Sequence, residues 1–474
     1  MTKVWVFVVC LTALLVKLGH WIYTQTNPKS CNGKLPPGSM GFPIIGETIE
    51  FFSPYSLHDI PPFVRKRMAR YGSLFRTNFV GRNVVVSTDP EVNHFIFQQE
   101  RTSFRISYTQ SFIDIFGQQS MFSYHGMAHK YLRNLIRQLV GPEKLKGKLM
   151  YEINEATRRH LHSWARHGTV DIKEVTSEMI FKYFAKKLIS YDESKASRKL
   201  RENYKAFMDG LISFPLNIPG TAYHACLQGR KNATKVIKDI FDERKKSTIP
   251  HQDFLDLLLE EVRKEEKILN EAIAVDLVFM LLFATHETIS SAMTLLIKFI
   301  SDHPEVLAEL VKEHETILRS RDNEDGEITW QEYKSMTFTH MVINETVRLA
   351  NIVPGIFRKA LKDVEVKGYT IPAGWTVMVV PSVLHLSPTE YDDPLAFNPR
   401  RWEGKDLHAG SKNFMAFGGG VRLCVGADIA KLLMASFLHY LITKYRWTVT
   451  KGGDIIRKPG LVFPNGLHIK ISEK

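Results

Sequence analysis

Apolar residues open the chain in one block. Residues 4–16 carry no charge, Lys17 interrupts them, and residues 18–23 are again mostly apolar. A spanning helix needs about 20 residues, which this block supplies if Lys17 extends its ammonium toward a headgroup. Trp21 and Tyr23 then fall at the interfacial belt. A cleaved signal peptide would show a small-x-small site after the apolar run, and Asn27-Pro28-Lys29 stands there instead. Lys29 and Lys34 follow, so the positive-inside bias puts the remainder on the cytosolic side. The pattern predicts a transmembrane anchor over 1–24. Prolines and glycines in residues 35–46 fix or bend the backbone, so 25–47 is expected to be a proline-rich hinge rather than a helix.

From residue 48 the periodicity changes. Residues 75–80 and 84–86 read as a hairpin about a turn at Gly81-Arg82-Asn83. Residues 126–348 are mainly helical in pattern, broken by proline and glycine within 214–220, and their most apolar stretch is 273–300. Short strands return at 364–366, 369–371 and 376–380, and a last helix begins after Gly426. No βαβ alternation appears, so the fold is expected to be mainly α with small β-sheets, one large domain over 48–474.

Composition narrows the classes. Hydrophobic residues make up 44% and charged residues 24% of the 474, enough for a large core. The net charge is +13, but its 63 basic residues are scattered, with no arginine-rich tract and no zinc-type spacing. Nucleic-acid binding is therefore not expected, and a membrane face or an acidic docking partner accounts for the charge. Cys10, Cys31, Cys226 and Cys424 are the four cysteines, far apart and without a CxxC pair, which favours a reducing compartment.

The strongest chemical signal is Phe417-Gly418-Gly419-Gly420-Val421-Arg422-Leu423-Cys424-Val425-Gly426. A cysteine thiolate is a strong ligand for iron and favours O–O cleavage in a dioxygen bound there. Glycines on both sides let the backbone approach a macrocycle and aim N–H groups at the sulfur. Arg422 can reach a carboxylate such as a haem propionate, and Gly426 lets the following helix pack close to the ring. With these residues the chain resembles a cytochrome P-450, a haem-thiolate monooxygenase of the plant microsomal type. The likeness extends from the anchor and hinge through three further motifs in the expected order.

That resemblance implies haem b (iron protoporphyrin IX) with Cys424 as metal ligand, and Phe417 and Gly426 beside it. Electrons would come from NADPH through a separate NADPH-cytochrome reductase, at the endoplasmic reticulum membrane. In Ala284-Thr285-His286-Glu287-Thr288 it implies that Ala284 lies over the haem and that Glu287 and Thr288 deliver protons during oxygen activation. Thr285 departs from the family's usual glycine, and its hydroxyl could bond back to Leu281 O and bend the helix. Glu345, Arg348 and Arg401 match the family's structural triad, with Trp402 where phenylalanine is commoner. His129, Arg133 and Arg358 match positions that donate to haem propionates, His129 standing where tryptophan is frequent.

Substrate contacts are harder to read. Phe112, Ile113, Phe116, Phe279, Phe283, Ala284, Val353, Ile356 and Val462 are expected to line a pocket for a large lipophilic ligand. Each would also suit plain core packing. Residues 214–223 resemble plant members that oxidise brassinosteroids, abscisic acid, tetracyclic triterpenoids and sterol side chains. The reading favoured is oxidation of a sterol or tetracyclic triterpenoid, by side-chain hydroxylation or cleavage or by ring hydroxylation. A hydroxylase of another terpenoid or hormone is the alternative. A reductase-independent peroxide-rearranging enzyme fits less well, because such members often lack the acid–threonine pair kept here as Glu287-Thr288.

Overall fold

The computed structural model describes residues 2–26, 33–42, 45–193, 199–264, 268–321, 326–405 and 410–474. Cys31, Asn27-Pro28-Lys29, Pro43 and Ile44 lie outside them. Thr2–Thr26 is one helix, and its stretch Trp5–Ile22 is long and apolar enough to cross a membrane, with none of it buried against the protein. Glu271–Asp302 meets the same length and composition test but is mostly buried, as a core helix is.

The hinge lies along the sheet rather than apart from it. Arg76 N donates to Pro37 O, Glu47 N to Asn78 O and Thr370 N to Lys34 O, each at 2.8 Å. Glu47 is buried where it receives Arg67 Nε at 2.8 Å. Stiff proline geometry thus ends in backbone pairing with the strand Leu74–Phe79.

That strand starts a five-stranded mixed sheet. Its order is Leu74–Phe79, Arg82–Ser87, Thr376–Val379, Ile356–Ala360, Phe104–Ile106, with only the second and third strands parallel. The predicted hairpin is present, but its turn is Val80-Gly81, not Gly81-Arg82-Asn83: Arg82 and Asn83 pair with Phe79 and Asn78. Val80 and Gly81 both take positive φ (49° and 78°), the primed two-residue turn whose twist matches the flanking strands. Asn78 Oδ1 secures it by accepting from Gly81 N at 2.8 Å. The strands Val364–Val366 and Tyr369–Ile371 form as expected, and the one expected over 376–380 stops at Val379.

Helices make the bulk. Glu271–Asp302, 32 residues and therefore about 48 Å long, runs through the core, capped by Asn270 Oδ1 accepting from Ile273 N. Ile172–Ile189 and Ala222–Lys246 pack on it, and Thr337–Ala350 and Ala427–Lys444 lie behind. The break within 214–220 holds: Leu200–Leu211 ends before it and Ala222–Lys246 starts after it. Two sheets went unforeseen. Tyr445–Gly452 pairs with Leu467–Glu473, which pairs with Thr169–Asp171 inside the stretch read as helical; Ile456–Lys458 joins Gly460–Val462 and Tyr55–Ser56.

Arg457 ties this C-terminal part to the core. It is almost fully buried and donates to Asn351 O (2.9 Å), Leu349 O (3.1 Å) and Ala350 O (2.5 Å), the last carbonyls of Thr337–Ala350. A cation on those carbonyls meets the negative end of the helix dipole. Burial still lowers its guanidinium pKa to about 10.

Candidate active site

Burial along the long helix is continuous from Ile273 to Leu282 and resumes at Ile289. Between them only His286 is buried, and Ala284 is exposed although it sits in the middle of a core helix. Ala284 therefore faces an internal chamber. Cys424 behaves alike: its surface is accessible, yet protein encloses it on nearly every side, and burial pushes its thiol pKa up.

The cysteine loop is shaped by backbone constraints. Gly420, at φ +62°, approaches Phe97 so closely that a Cβ would lie 2.3 Å from Phe97 O, and at Gly419 a Cβ would lie 2.6 Å from the Phe97 ring. These two glycines are required by packing. Gly418 and Gly426 are different: a Cβ there would meet nothing nearer than 4.0 and 3.8 Å within the protein. The space at Gly426 lies 3.9 Å from the sulfur, and that at Gly418 borders Ile356. Cys424 N donates to Phe417 O at 2.9 Å, and the Gly426 N–H points at the sulfur, which with Arg133 opposes the effect of burial. Phe417 lies 6.4 Å from the Phe414 ring with Lys431 over its face.

Four basic side chains cluster near the loop. Arg133 donates to Leu423 O at 2.5 Å. Arg422 donates to Tyr124 O at 2.7 Å and to Glu100 Oε1 at 2.6 Å. Arg358 Nε lies 2.9 Å from Glu100 Oε2, close but too poorly aligned for a hydrogen bond, so both atoms are buried without one. His129 is 3% exposed, and burial with the charge of Arg422 lowers its pKa to about 4, keeping the imidazole neutral. Sequence reasoning missed Glu100, a helix-end carboxylate like many others, 322 residues from its partner Arg422.

Behind the loop, Glu345 gathers its triad. Arg348 donates to both carboxylate oxygens at 2.8 Å and Arg401 Nε to one at 2.9 Å. Asn398 N and Trp402 Nε1 add bonds at 3.0 Å, so tryptophan here supplies a donor that phenylalanine lacks. His385, fully buried, has Nδ1 2.6 Å from Asn351 Oδ1 and accepts from Met415 N at 3.0 Å, linking the triad helix to the loop approach.

On the helix facing the chamber, Thr288 Oγ1 donates to Ala284 O at 2.7 Å and Thr285 Oγ1 to Leu281 O at 2.9 Å. Glu287 turns to the flank, where Lys173 Nζ sits 2.9 Å from its Oε1. Lys173 carried no sequence signal as its partner.

An aromatic cluster joins the two sides. Phe122 lies 5.2 Å from Phe112 and 5.1 Å from Phe116, and Phe116 lies 5.0 Å from Phe283, while Arg422 bonds the neighbouring Tyr124 backbone. Phe112, Ile113, Phe283 and Ile356 keep partial exposure, and Ala284, Val353 and Val462 are exposed. Phe279 is fully buried, stacked on Tyr204 at 5.0 Å, and Phe116 is 1% exposed. Phe279 thus belongs to the packing behind the wall, because its place on the helix turns it toward Tyr204 and Phe207.

Two surface clefts, of about 480 and 540 Å³, lie elsewhere: one is lined by Ser301 and Trp447, the other by Arg158 and His439, and neither includes Cys424. Among the described residues no three His, Cys, Asp or Glu side chains converge to cage a metal. An iron bound at one cysteine has to bring its other ligands, as haem does. The enclosed sulfur, the open space at Gly418 and Gly426 and Arg358, whose buried Nε makes no hydrogen bond, fit a flat macrocycle that carries two carboxylates.

Comparisons agree with that chemistry. The chain is 54% identical to a cytochrome P450 87A3 of Oryza sativa subsp. japonica over 96% of its length and 89% of the relative. It is 41% identical to a cucurbitadienol 11-hydroxylase of Siraitia grosvenorii (99% and 100% covered) and 40% identical to a cholesterol 22-hydroxylase of Paris polyphylla (98% and 97%). The solved structure of retinoic acid-bound cyanobacterial CYP120A1 superposes with a TM-score of 0.82 at 25% identity, over 94% of this chain and all of that one. The Cytochrome P450 family model matches residues 36–469, and the chain is a member of that family, a haem-dependent monooxygenase.

Proposed function

We propose that this monooxygenase oxidises a sterol or tetracyclic triterpenoid, by ring hydroxylation or by side-chain hydroxylation or cleavage. The observation that carries the reading is the aromatic wall that ends at Phe283, next to Ala284, where Phe112, Phe122 and Phe283 each pack a ring on Phe116 at 4.5, 5.1 and 5.0 Å. The names of the cucurbitadienol and cholesterol hydroxylases support the same substrate class. Electrons come from NADPH through a separate reductase. Thr2–Thr26 anchors the chain in the endoplasmic reticulum membrane with the domain 48–474 in the cytosol.

When bound, the haem supplies dioxygen activation; the protein supplies position and protons. Cys424 would ligate the iron, and the Gly426 N–H would temper the charge on its sulfur. Arg133, Arg358, Arg422 and His129 would hold the propionates. Thr288 and Glu287 hold and move protons on the chamber side: the Thr288 hydroxyl leaves Ala284 O to donate into the chamber, and Glu287 leaves Lys173 to take a proton from solvent. Thr285 keeps Leu281 O bonded where the family's glycine would not. The aromatic wall excludes water from the lipophilic substrate.

The experiment is product analysis by mass spectrometry on the full chain with a reductase, NADPH and a panel of sterols and tetracyclic triterpenoids. A hydroxylated or side-chain-shortened product is expected, and no product from any member overturns the substrate class. Cys424→Ala should abolish the red-shifted carbon monoxide band of the reduced protein. A band that survives in that variant overturns the ligand assignment.

A further inference from the structure

We propose that Glu100 is a positioning residue that sets the charge balance of the haem site. The proposal rests on the reading that Cys424 and the arginines hold a haem. The Glu100 side chain is 4% exposed and lies between two guanidiniums, with Arg422 Nε 2.6 Å from one oxygen and Arg358 Nε 2.9 Å from the other. Those arginine side chains are 9% and 2% exposed. A carboxylate so buried is costly unless paired, and one so paired fixes both partners.

The charges add up in a particular way. Arg133, Arg358 and Arg422 are the arginine cations near the loop, Lys431 over the Phe417 ring is offset by the neighbouring Asp428, and His129 is neutral. Arg101 and Arg105 are exposed, so solvent and salt screen them. Glu100 cancels one of the three arginine charges and leaves two. A haem carries two propionates, and a ferric porphyrin with a thiolate is neutral at its centre. The protein thus presents the charge that neutralises the propionates and no more.

The donors are divided as well. Arg422 has three of its four remaining N–H groups on Met121 O, Tyr124 O and the His125 ring, which leaves one on Nη1 for a propionate. Arg358 gives one to Phe357 O, and its Nε is the unaligned atom beside Glu100. Glu100 thereby locks Arg422 into the 121–125 backbone and leaves Arg358 the more adaptable donor toward a propionate. Replacing Glu100 by a neutral isostere leaves an uncompensated buried cation near the iron. That cation favours the ferrous over the ferric state, because the added electron lowers the local positive charge.

The test is the midpoint potential of the one-electron ferric/ferrous couple, measured on the full-length haem-loaded protein by mediated dithionite titration at fixed pH and ionic strength. Glu100→Gln should shift it to more positive potential, with the thiolate carbon monoxide band retained. Glu100→Asp should stay at the wild-type value, and the charge-compensated Glu100→Gln/Arg358→Gln should return toward it. A merely structural role for Glu100 would not give a signed shift that charge compensation reverses. An unchanged or negative shift in Glu100→Gln, or an equal shift in Glu100→Asp, overturns the proposal. If Glu100→Gln fails to load haem, recovery of loading and of the wild-type potential in the compensated variant supports the proposal, and continued failure overturns it. A wild-type protein without the thiolate band would instead overturn the haem reading beneath it.

Discussion

Around Glu345 five donors from Arg348, Arg401, Trp402 and the Asn398 backbone converge on one carboxylate. Around Phe112 the rings of Tyr108, Phe116 and Phe122 gather with no polar atom needed. The first region is built from directional bonds, each fixing a distance and an angle, and a change of one atom is felt by every partner. The second is built from shape, and a ring can be traded for another apolar group at modest cost. The difference separates what holds the cysteine loop from what is proposed to meet a substrate.

The largest effect is expected where the directional side is cut. Glu345→Gln replaces a carboxylate buried between two arginines, a change worth about 3–5 kcal/mol. The variant should melt far below the wild type and show no thiolate band; a wild-type melting temperature with an intact band would dissolve the contrast between the regions. Next in size is Thr288→Ala, which stands where the regions meet. Haem loading should persist, while product per NADPH falls about ten- to a thousand-fold, as for a lost positioned proton donor, and hydrogen peroxide rises. If Thr288→Ala stays coupled and Thr285→Gly uncouples, the role belongs to Thr285. Phe112→Leu should change least: about 1 kcal/mol in stability, well under the 3–5 kcal/mol of emptying a closed core site. Its substrate affinity, read from the spectral shift on binding, should move about tenfold or less. A collapse of stability in that variant would make the aromatic side as rigid as the triad side.

The same contrast explains what could be read in advance. The cysteine loop, the triad and the hairpin were legible because their chemistry demands particular residue types at short, fixed spacings. Glu345 and Arg348 lie one helical turn apart, and Gly81 marks its turn within one residue. Glu100 and Lys173 were not legible, because each acquires its meaning from a partner brought close only by the fold: Arg422 for the one, Glu287 for the other. The wall was ambiguous for a different reason. Phe279 and Phe283 are the same residue type four positions apart on one helix, yet one is fully buried and the other keeps exposure. Hydrophobicity cannot tell packing from lining; only the direction of the side chain does. The hinge, read as a spacer, proved to pair with the sheet edge because its carbonyls found the donors of Arg76 and Thr370.

Arg457 bears on the order in which the molecule is assembled. It closes the end of Thr337–Ala350 from a sequence distance of 106 residues, measured at Asn351. A growing chain emits Cys424 and its glycines before Arg457 exists to complete the helix that supports them. Contacts so distant in sequence form late and slow a folding reaction. The cysteine pocket therefore reaches its final form only after Arg457 has been made, so the loop around Cys424 waits on a segment that follows it in the chain.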